Sequence, residues 1–249
     1  HPALKASSPQ APIADWFAGD DWHHNGAFFL AHAFNFMSSF GHPRPAPVKR
    51  NAFDRYMYND KPDGYAFFLD LGPLSNADAR HFKGDVAFWN EMMKHPDYDE
   101  WWKARDVRPH LKDFKPAVLN VGGWYDAENL FGPLETYRAV EASAPKATNV
   151  LVMGPWLHGG WAGGDGASLG PIAFNSNTAE YYREHIEFPF FRSILKGGDA
   201  PLPEARVFET GTNQWREFDA WPPKAAKPKT LYLAAEGRVT FSPPEAGAA

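Results

Sequence analysis

Short apolar runs and amphipathic segments alternate in the second half of the chain. Residues 117–121 (Ala-Val-Leu-Asn-Val) and 150–153 (Val-Leu-Val-Met) are apolar runs that stop at glycine, and this pattern predicts two buried strands. Residues 128–141 and 179–196 carry apolar side chains at helical spacing, which predicts two amphipathic helices. The order strand, helix, strand, loop, helix is typical of a parallel sheet, so we predict an α/β fold.

The first half of the chain has helical rather than strand periodicity. Residues 27–40 form an aromatic-rich segment with a helical pattern, and residues 85–94 and 98–105 repeat that spacing over shorter stretches. Prolines separate these segments between residues 41 and 115. This arrangement favours a helical insertion or cap over an independent domain.

The pattern changes again after Gly197. Residues 206–209, 215–218 and 230–233 are predicted to be short strands, because each lies between proline or glycine turns. A complete β-sandwich usually needs about 100 residues. The segment is therefore predicted to be the start of an all-β domain.

Composition excludes several classes of partner. The 249 residues are 44% hydrophobic and 22% charged, which is typical of a globular chain. The net charge is −5 and no extended basic cluster is present, which argues against nucleic acid and anionic membrane surfaces as partners. No apolar run approaches the length of a membrane span. The absence of cysteine excludes disulfides but does not decide the compartment.

Two polar residues follow the two predicted strands. Asp126 ends the sequence Gly-Gly-Trp-Tyr-Asp, and His158 ends Gly-Pro-Trp-Leu-His. The carboxyl ends of neighbouring parallel strands meet at one edge of a sheet, so we expect these side chains to lie close together. The aspartate would orient the imidazole, and His158 would act as general base in acyl transfer, in the order typical of α/β-hydrolases. Alternatively, Asp126 caps the following helix and His158 is a loop histidine without a partner.

The sequence offers one literal Gly-x-Ser-x-Gly motif, residues 166–170, centred on Ser168. A nucleophile elbow needs a strand directly before the serine and a helix directly after it. Ser168 instead lies in a glycine-rich loop after His158. We predict that it is not the nucleophile and that it lies away from the histidine.

A cluster of Asp20, Asp21, His23 and His24 contains residue types that bind metals. Adjacent side chains point in different directions, however, and no metal-ligand spacing such as His-Glu-x-x-His follows. A metal-dependent hydrolase at this cluster is the weaker hypothesis. We predict that the protein uses no metal and no other cofactor.

Several longer motifs resemble the CocE/NonD hydrolases, which are X-Pro dipeptidyl-peptidase-like α/β-hydrolases. They are residues 123–130 (Gly-Trp-Tyr-Asp-Ala-Glu-Asn-Leu), 152–158 (Val-Met-Gly-Pro-Trp-Leu-His), 19–22 (Gly-Asp-Asp-Trp) and the opening His-Pro-Ala-Leu-Lys. Within that group they resemble α-amino acid ester hydrolases and glutaryl-7-aminocephalosporanic acid acylases. The resemblance continues to residues 208–215 and so covers nearly the whole chain.

This resemblance implies a domain organisation. Residues 1–40 and 116–198 would be parts of an α/β-hydrolase core, residues 41–115 a helical cap, and residues 199–249 the start of a C-terminal β jelly roll. The chain opens at His1 as though inside a domain, and we expect it to be a processed or truncated fragment. The family's serine, in a Gly-x-Ser-Tyr-x-Gly elbow, would then lie upstream of His1, together with the tyrosine of the oxyanion hole.

The resemblance also implies residue roles. Asp126 would be the triad acid and His158 the triad base. Asp21, Glu128 and Asn129 match a carboxylate cluster that receives the substrate's ammonium group in α-amino acid ester hydrolases. Asn129 is an amide where those enzymes have an acid, and the loss of that charge weakens the case for α-amino substrates and leaves the acyl group open. Glu128 is equally explained as a first-turn acid that complements a helix dipole.

We therefore predict part of a serine hydrolase that cleaves small-molecule esters or amides through an acyl-enzyme, of the α-amino acid ester hydrolase or glutaryl-acylase type. The alternative is a catalytically inactive fragment or an aromatic-rich binding module. Residues 1–249 alone are predicted to be inactive and to associate, as a homo-oligomer or with a complementing N-terminal segment, through exposed strand edges. The compartment stays unknown, although the resemblance favours a periplasmic or secreted protein.

Overall fold

The computed structural model describes residues 1–47, 63–198 and 202–243. Its strands, in chain order, are β1 (Ala6–Ser7), β2 (His23–His24), β3 (Ala27–Phe28), β4 (Ala117–Gly123), β5 (Asn149–Gly154), β6 (Ser168–Leu169), β7 (Ile172–Ala173), β8 (Ala205–Glu209), β9 (Gln214–Phe218), β10 (Tyr232–Ala234) and β11 (Arg238–Thr240). Its α-helices are α1 (Leu30–Phe40), α2 (Gly64–Leu71), α3 (Ala87–Met92), α4 (Glu100–Lys103), α5 (Phe131–Ser143), α6 (Thr178–Tyr182) and α7 (Phe188–Lys196). Short π- or 3₁₀-helical turns occupy Ala77–Phe82, Arg108–His110, Arg183–Glu187 and Ala235–Gly237.

A five-stranded sheet in the order β1-β4-β5-β8-β9 forms the centre of the fold. Strands β1, β4, β5 and β8 are parallel. Strand β9 pairs antiparallel with β8 and forms one edge of the sheet. Every residue of β4 and β5 is buried, because helices cover both faces of the sheet. The predicted α/β class and both predicted central strands are confirmed.

The two faces of β4 and β5 belong to separate hydrophobic clusters. On one face Val152 packs with Tyr182 and Ile186 of the α6–α7 segment. On the other face Leu151 and Met153 pack with helix α5. Because successive strand residues point to opposite faces, a continuous apolar run supplies both clusters at once.

The helices before the sheet enclose a third hydrophobic cluster, which is strongly aromatic. Its largest buried side chains include Phe34, Phe82, Trp89 and Trp102. This cluster is separate from those on the sheet, and it supports a helical cap. The cap boundaries at residues 41 and 115 stay a prediction, and residues 48–62 of the predicted cap lie outside the described residues.

All five predicted helices have different bounds in the structure, and three of these differences have a local cause. The segment 27–40 begins with strand β3, and its helix starts only at Leu30. Helix α5 starts at Phe131 rather than at residue 128, because the preceding residues form a turn around Asp126. The segment 179–196 is interrupted by a π-helical turn that ends before Pro189, which has no N–H to continue the regular ladder.

The placement of β8 and β9 differs from the prediction. They were expected to open an all-β domain at residue 199, but β8 pairs with β5 and so extends the central sheet. Ala205, Val207 and Phe208 are buried there, which explains why this edge of the sheet takes a further strand. Beyond Phe218, the described residues form one two-stranded hairpin, β10–β11, and the jelly roll stays a prediction. Residues 199–201 and 244–249 of that predicted domain lie outside the described residues.

The helices of the described part of the chain are all too short or too polar to cross a membrane.

Candidate active site

The ends of β4 and β5 lie side by side. Gly123 and Gly154 are register partners, and each strand continues into a loop. The Trp124 N–H donates to the carbonyl of Gly154 at 2.8 Å, and the Tyr125 N–H donates to that of Trp156 at 3.0 Å. These backbone hydrogen bonds hold the loop after β4 against the loop after β5.

Asp126 and His158 meet where these two loops touch. Nδ1 of His158 lies 3.0 Å from Oδ2 of Asp126. The other carboxylate oxygen, Oδ1, accepts the backbone N–H groups of Glu128 and Asn129, both at 2.9 Å. Asp126 therefore holds the turn before α5 with one oxygen and the imidazole with the other, so the helix-capping alternative does not exclude the pairing.

The two side chains differ in exposure. The Asp126 side chain is 0% exposed, whereas that of His158 is 47% exposed. With Nδ1 facing the carboxylate, the other ring nitrogen, Nε2, is the one that can exchange a proton with a reacting group. The pair has the geometry of an acid–histidine dyad, while its catalytic role stays a prediction.

Electrostatics favour the ion-pair form of this dyad. The hydrogen bond to Asp126 raises the pKa of His158 above its ordinary value, and the neighbouring Glu128 and Asp21 add to that effect. Burial alone would raise the pKa of Asp126. The hydrogen bonds from His158 and from two backbone N–H groups outweigh burial and leave this pKa below its ordinary value. Asp126 is thus ionised at neutral pH and stabilises a protonated imidazole.

A second group of side chains, the acceptor cluster of Asp21, His32 and Glu128, lies beside the dyad. One potential ligand atom from each residue lies within 4.8 Å of the other two. Oε1 of Glu128 is 3.6 Å from Nε2 of His32, and its Oε2 is 3.9 Å from Nδ1 of His158. Nδ2 of Asn129 donates to Oδ2 of Asp21 at 2.9 Å. All three residues predicted to bind substrate therefore lie together next to the dyad.

Burial shifts the pKa values of two side chains in the acceptor cluster. Burial raises the pKa of Asp21 to about 7, an effect that the hydrogen bond from Asn129 opposes and that Glu128 and Asp20 reinforce. Burial lowers the pKa of His32, although Glu128 opposes this shift. A cation placed among these groups would favour the ionised form of Asp21. The cluster is therefore suited to bind a cationic group.

The structure separates the four residues of the metal hypothesis. Asp20 accepts the backbone N–H groups of Ala14 and Gly132 at 2.8 and 2.9 Å, which marks a structural role. His23 stacks on Phe17, with 4.5 Å between ring centroids. Among the described residues, the group that converges on one point is the acceptor cluster. His32 was not found from the sequence, because a histidine in an aromatic-rich helix is typical of a hydrophobic core.

Ser168, predicted to lie in a loop, is instead the first residue of the two-residue strand β6 in the hairpin β6–β7, outside any strand–turn–helix elbow. Within the described residues, no hydrogen bond connects its hydroxyl to His158. The local structure is therefore that expected of a serine that is not the nucleophile.

A cavity of about 520 Å³ opens beside Asp126. Its walls are mostly apolar, and they include Phe29, Leu130, Phe131 and Leu134. This volume lies within the usual range for small-molecule sites.

Comparison with known proteins shows which family the chain belongs to. Residues 1–160 match the model of the X-Pro dipeptidyl-peptidase (S15) family. The chain belongs to this family. The cocaine esterase of Rhodococcus sp. (strain MB1 Bresler) is 29% identical over an alignment of 196 residues, and the alignment covers 73% of this S15 chain and 33% of the esterase.

Two solved structures resemble the S15 chain over nearly all of its length. An aminopeptidase from the marine sediment archaeon Thaumarchaeota archaeon has a TM-score of 0.85 and 30% identity, over 97% of this chain and 39% of the other. An α-amino acid ester hydrolase labelled with selenomethionine has a TM-score of 0.87 and 29% identity, over 100% of this chain and 41% of the other. The S15 chain thus spans well under half the length of these relatives. The matches confirm the predicted CocE/NonD resemblance and the α/β-hydrolase class.

Proposed function

We propose that the protein containing these residues is a serine hydrolase that cleaves esters or amides of small molecules through an acyl-enzyme. The observation that carries this proposal is the 3.0 Å contact between Nδ1 of His158 and Oδ2 of Asp126 at neighbouring strand ends. The three relatives are named as an esterase, an ester hydrolase and an aminopeptidase, and all three names describe hydrolysis.

The proposed reaction has two halves. The serine oxygen bonds to the substrate carbonyl carbon while its proton moves to Nε2 of His158. Nε2 then gives this proton to the departing alcohol or amine, and the bond from the carbonyl carbon to that group breaks. A water molecule repeats the sequence on the acyl-enzyme, which releases the acid and restores the serine. Asp126 holds the imidazole orientation and stabilises its protonated form, and no cofactor takes part.

The nucleophile of this mechanism is proposed to lie outside residues 1–249. The position of Ser168 in an exposed hairpin supports this assignment, as does the much greater length of the relatives. A complementing segment at the β1 edge of the sheet is proposed as its source. Strand β1 has only two residues and borders the sheet, so a further strand can pair there.

The acceptor cluster favours substrates with an α-amino acyl group over substrates with a glutaryl group. A glutaryl group carries a carboxylate, which Asp21 and Glu128 would repel. An α-amino acyl group carries an ammonium, which the same carboxylates attract. We therefore favour α-amino acid esters or amides.

Active-site labelling tests the serine mechanism. A fluorophosphonate is expected to modify one serine of the full-length protein, and peptide mass spectrometry is expected to place it outside residues 1–249. Ser168→Ala should label at the wild-type rate, because this serine lies outside an elbow. His158→Ala should abolish rapid labelling. A phosphonylated Ser168, or labelling that does not depend on His158, would contradict the mechanism.

The pH dependence of the full-length enzyme follows from the dyad. His158 must be unprotonated at Nε2 to accept the serine proton, so kcat/KM falls as the pH drops below the pKa of His158. Asp126 raises this pKa, and the acid limb is therefore expected to have its midpoint above 6.5, the ordinary value. Asp126→Asn should move the midpoint of the residual activity to lower pH.

The control for this pH profile is Asp99→Asn in the partly buried pair of Asp99 and His95, whose Oδ2–Nδ1 distance is 2.6 Å. It removes the same kind of charge from a different aspartate–histidine pair and should leave the midpoint unchanged. An acid limb centred below pH 6.5 in the unmodified enzyme would argue against the assigned base.

A further inference from the structure

His32 is a rigidly held imidazole with an unsatisfied nitrogen. Its ring stacks on Phe29 at 5.2 Å and lies 6.0 and 6.1 Å from the rings of Trp22 and Phe36. Within the described residues, Nε2 has no hydrogen-bond partner and is closed off from solvent. It faces Oε1 of Glu128 at 3.6 Å, which is too long for a hydrogen bond. Buried polar atoms without a hydrogen-bond partner are uncommon in folded proteins, and a bound ligand is one explanation for such an atom.

We propose that His32 is a specificity-determining residue, which accepts one of the three hydrogen bonds of a primary ammonium group on the substrate. Asp21 and Glu128 accept the other two. This inference rests on the proposed hydrolase function and adds a neutral acceptor to the two carboxylates.

The spacing of the acceptor cluster is close to the one that an ammonium group requires, except that Glu128 and His32 lie too near each other. Three N–H donors at tetrahedral angles, with hydrogen bonds of about 2.8 Å, require acceptors separated by about 4.6 Å. The acceptor atoms of Asp21, His32 and Glu128 all lie within 4.8 Å of one another. Glu128 and His32 would need to separate by about 1 Å, which is a small rotation for the partly exposed Glu128 side chain.

The protonation of the cluster suits the same role. An imidazole accepts a hydrogen bond at Nε2 only when that nitrogen carries no proton, and burial lowers the pKa of His32, which favours the neutral imidazole over the doubly protonated one. Asn129 contacts the cluster as a donor, because its Nδ2 donates to Oδ2 of Asp21. His32 supplies a third acceptor beside the carboxylates of Asp21 and Glu128.

The test uses the full-length protein and two esters that differ only in the ammonium group, phenylalanine methyl ester and methyl 3-phenylpropionate. His32→Phe keeps an aromatic ring and removes the acceptor. It is expected to lower kcat/KM for the amino ester about 10- to 100-fold, mainly through KM, the range for losing a hydrogen bond to a charged group. The ester without the amino group should change less than about 2-fold, since it never makes this bond. His32→Gln, which offers an amide oxygen, should recover part of the loss.

His95→Phe, a histidine stacked on Trp101 in the cap, is the matched control and should leave both esters unaffected. Equal losses on both esters, or no loss on either, in His32→Phe would overturn the proposal. So would zinc binding by calorimetry that disappears in His32→Phe while ester selectivity stays unchanged, because the cluster would then be a metal site.

Glu128→Gln separates this inference from the proposed function. If Glu128→Gln reduces hydrolysis of the amino ester selectively and His32→Phe does not, the role of His32 is wrong while the ammonium site stands. If neither ester is hydrolysed in a manner that depends on His158, the proposed function itself fails, and the inference fails with it.

Discussion

Asp126→Asn is expected to lower kcat of the full-length hydrolase about 10⁴-fold, and His158→Ala at least as much. Oδ1 of Asp126 accepts two backbone N–H groups at 2.9 Å, from Glu128 and Asn129. A substituted amide keeps its oxygen on those donors and turns its NH₂ group towards Nδ1 of His158. The imidazole proton is then forced onto Nε2, where it blocks transfer from the serine.

Stopped-flow acylation with a p-nitrophenyl ester measures this loss, and thermal unfolding shows whether the fold survives. Asp165→Asn is the matched control, because Asp165 accepts a backbone N–H of Ala167 at 3.0 Å in the same kind of turn. It should retain wild-type kcat. A loss below about 10-fold in Asp126→Asn, in a folded protein, would remove Asp126 from the mechanism.

Gly123→Ala is expected to destabilise the fold by about 3 kcal/mol and to lower kcat/KM at least about 100-fold. A Cβ at this position would lie 2.2 Å from the carbonyl oxygen of Trp156, which is backbone and cannot rotate away. The same carbonyl accepts the N–H of Tyr125. Relief of the clash must therefore push the two loops apart by about 1 Å, and the Asp126–His158 hydrogen bond depends on their contact.

Gly163→Ala provides the comparison within the loop that follows His158. An added Cβ there meets nothing within 4 Å, so stability and kcat/KM should stay close to wild type. Urea unfolding and steady-state kinetics of both variants decide the outcome. If Gly123→Ala keeps more than about half of the wild-type activity, close contact between the two loops is not what positions the dyad.

The α/β class and the approach of Asp126 to His158 could be predicted from the sequence, because both depend on local pattern. The apolar runs at 117–121 and 150–153 are buried strands in the structure. A residue that follows such a strand lies at the carboxyl edge of the sheet, whatever the rest of the fold does. The context of Ser168 was equally informative, since an elbow requires a particular local order of strand and helix.

Only the tertiary structure decided which sheet takes β8 and β9 and what His32 faces. A short half-buried strand has the same pattern in any sheet, so the sequence could not show that β8 pairs with β5. His32 meets Glu128 because α1 packs beside the loop after β4, and their distance in sequence leaves no local signal of that contact. The raised pKa of Asp21 likewise comes from burial and from neighbours that folding brings together, which no reading of adjacent residues contains.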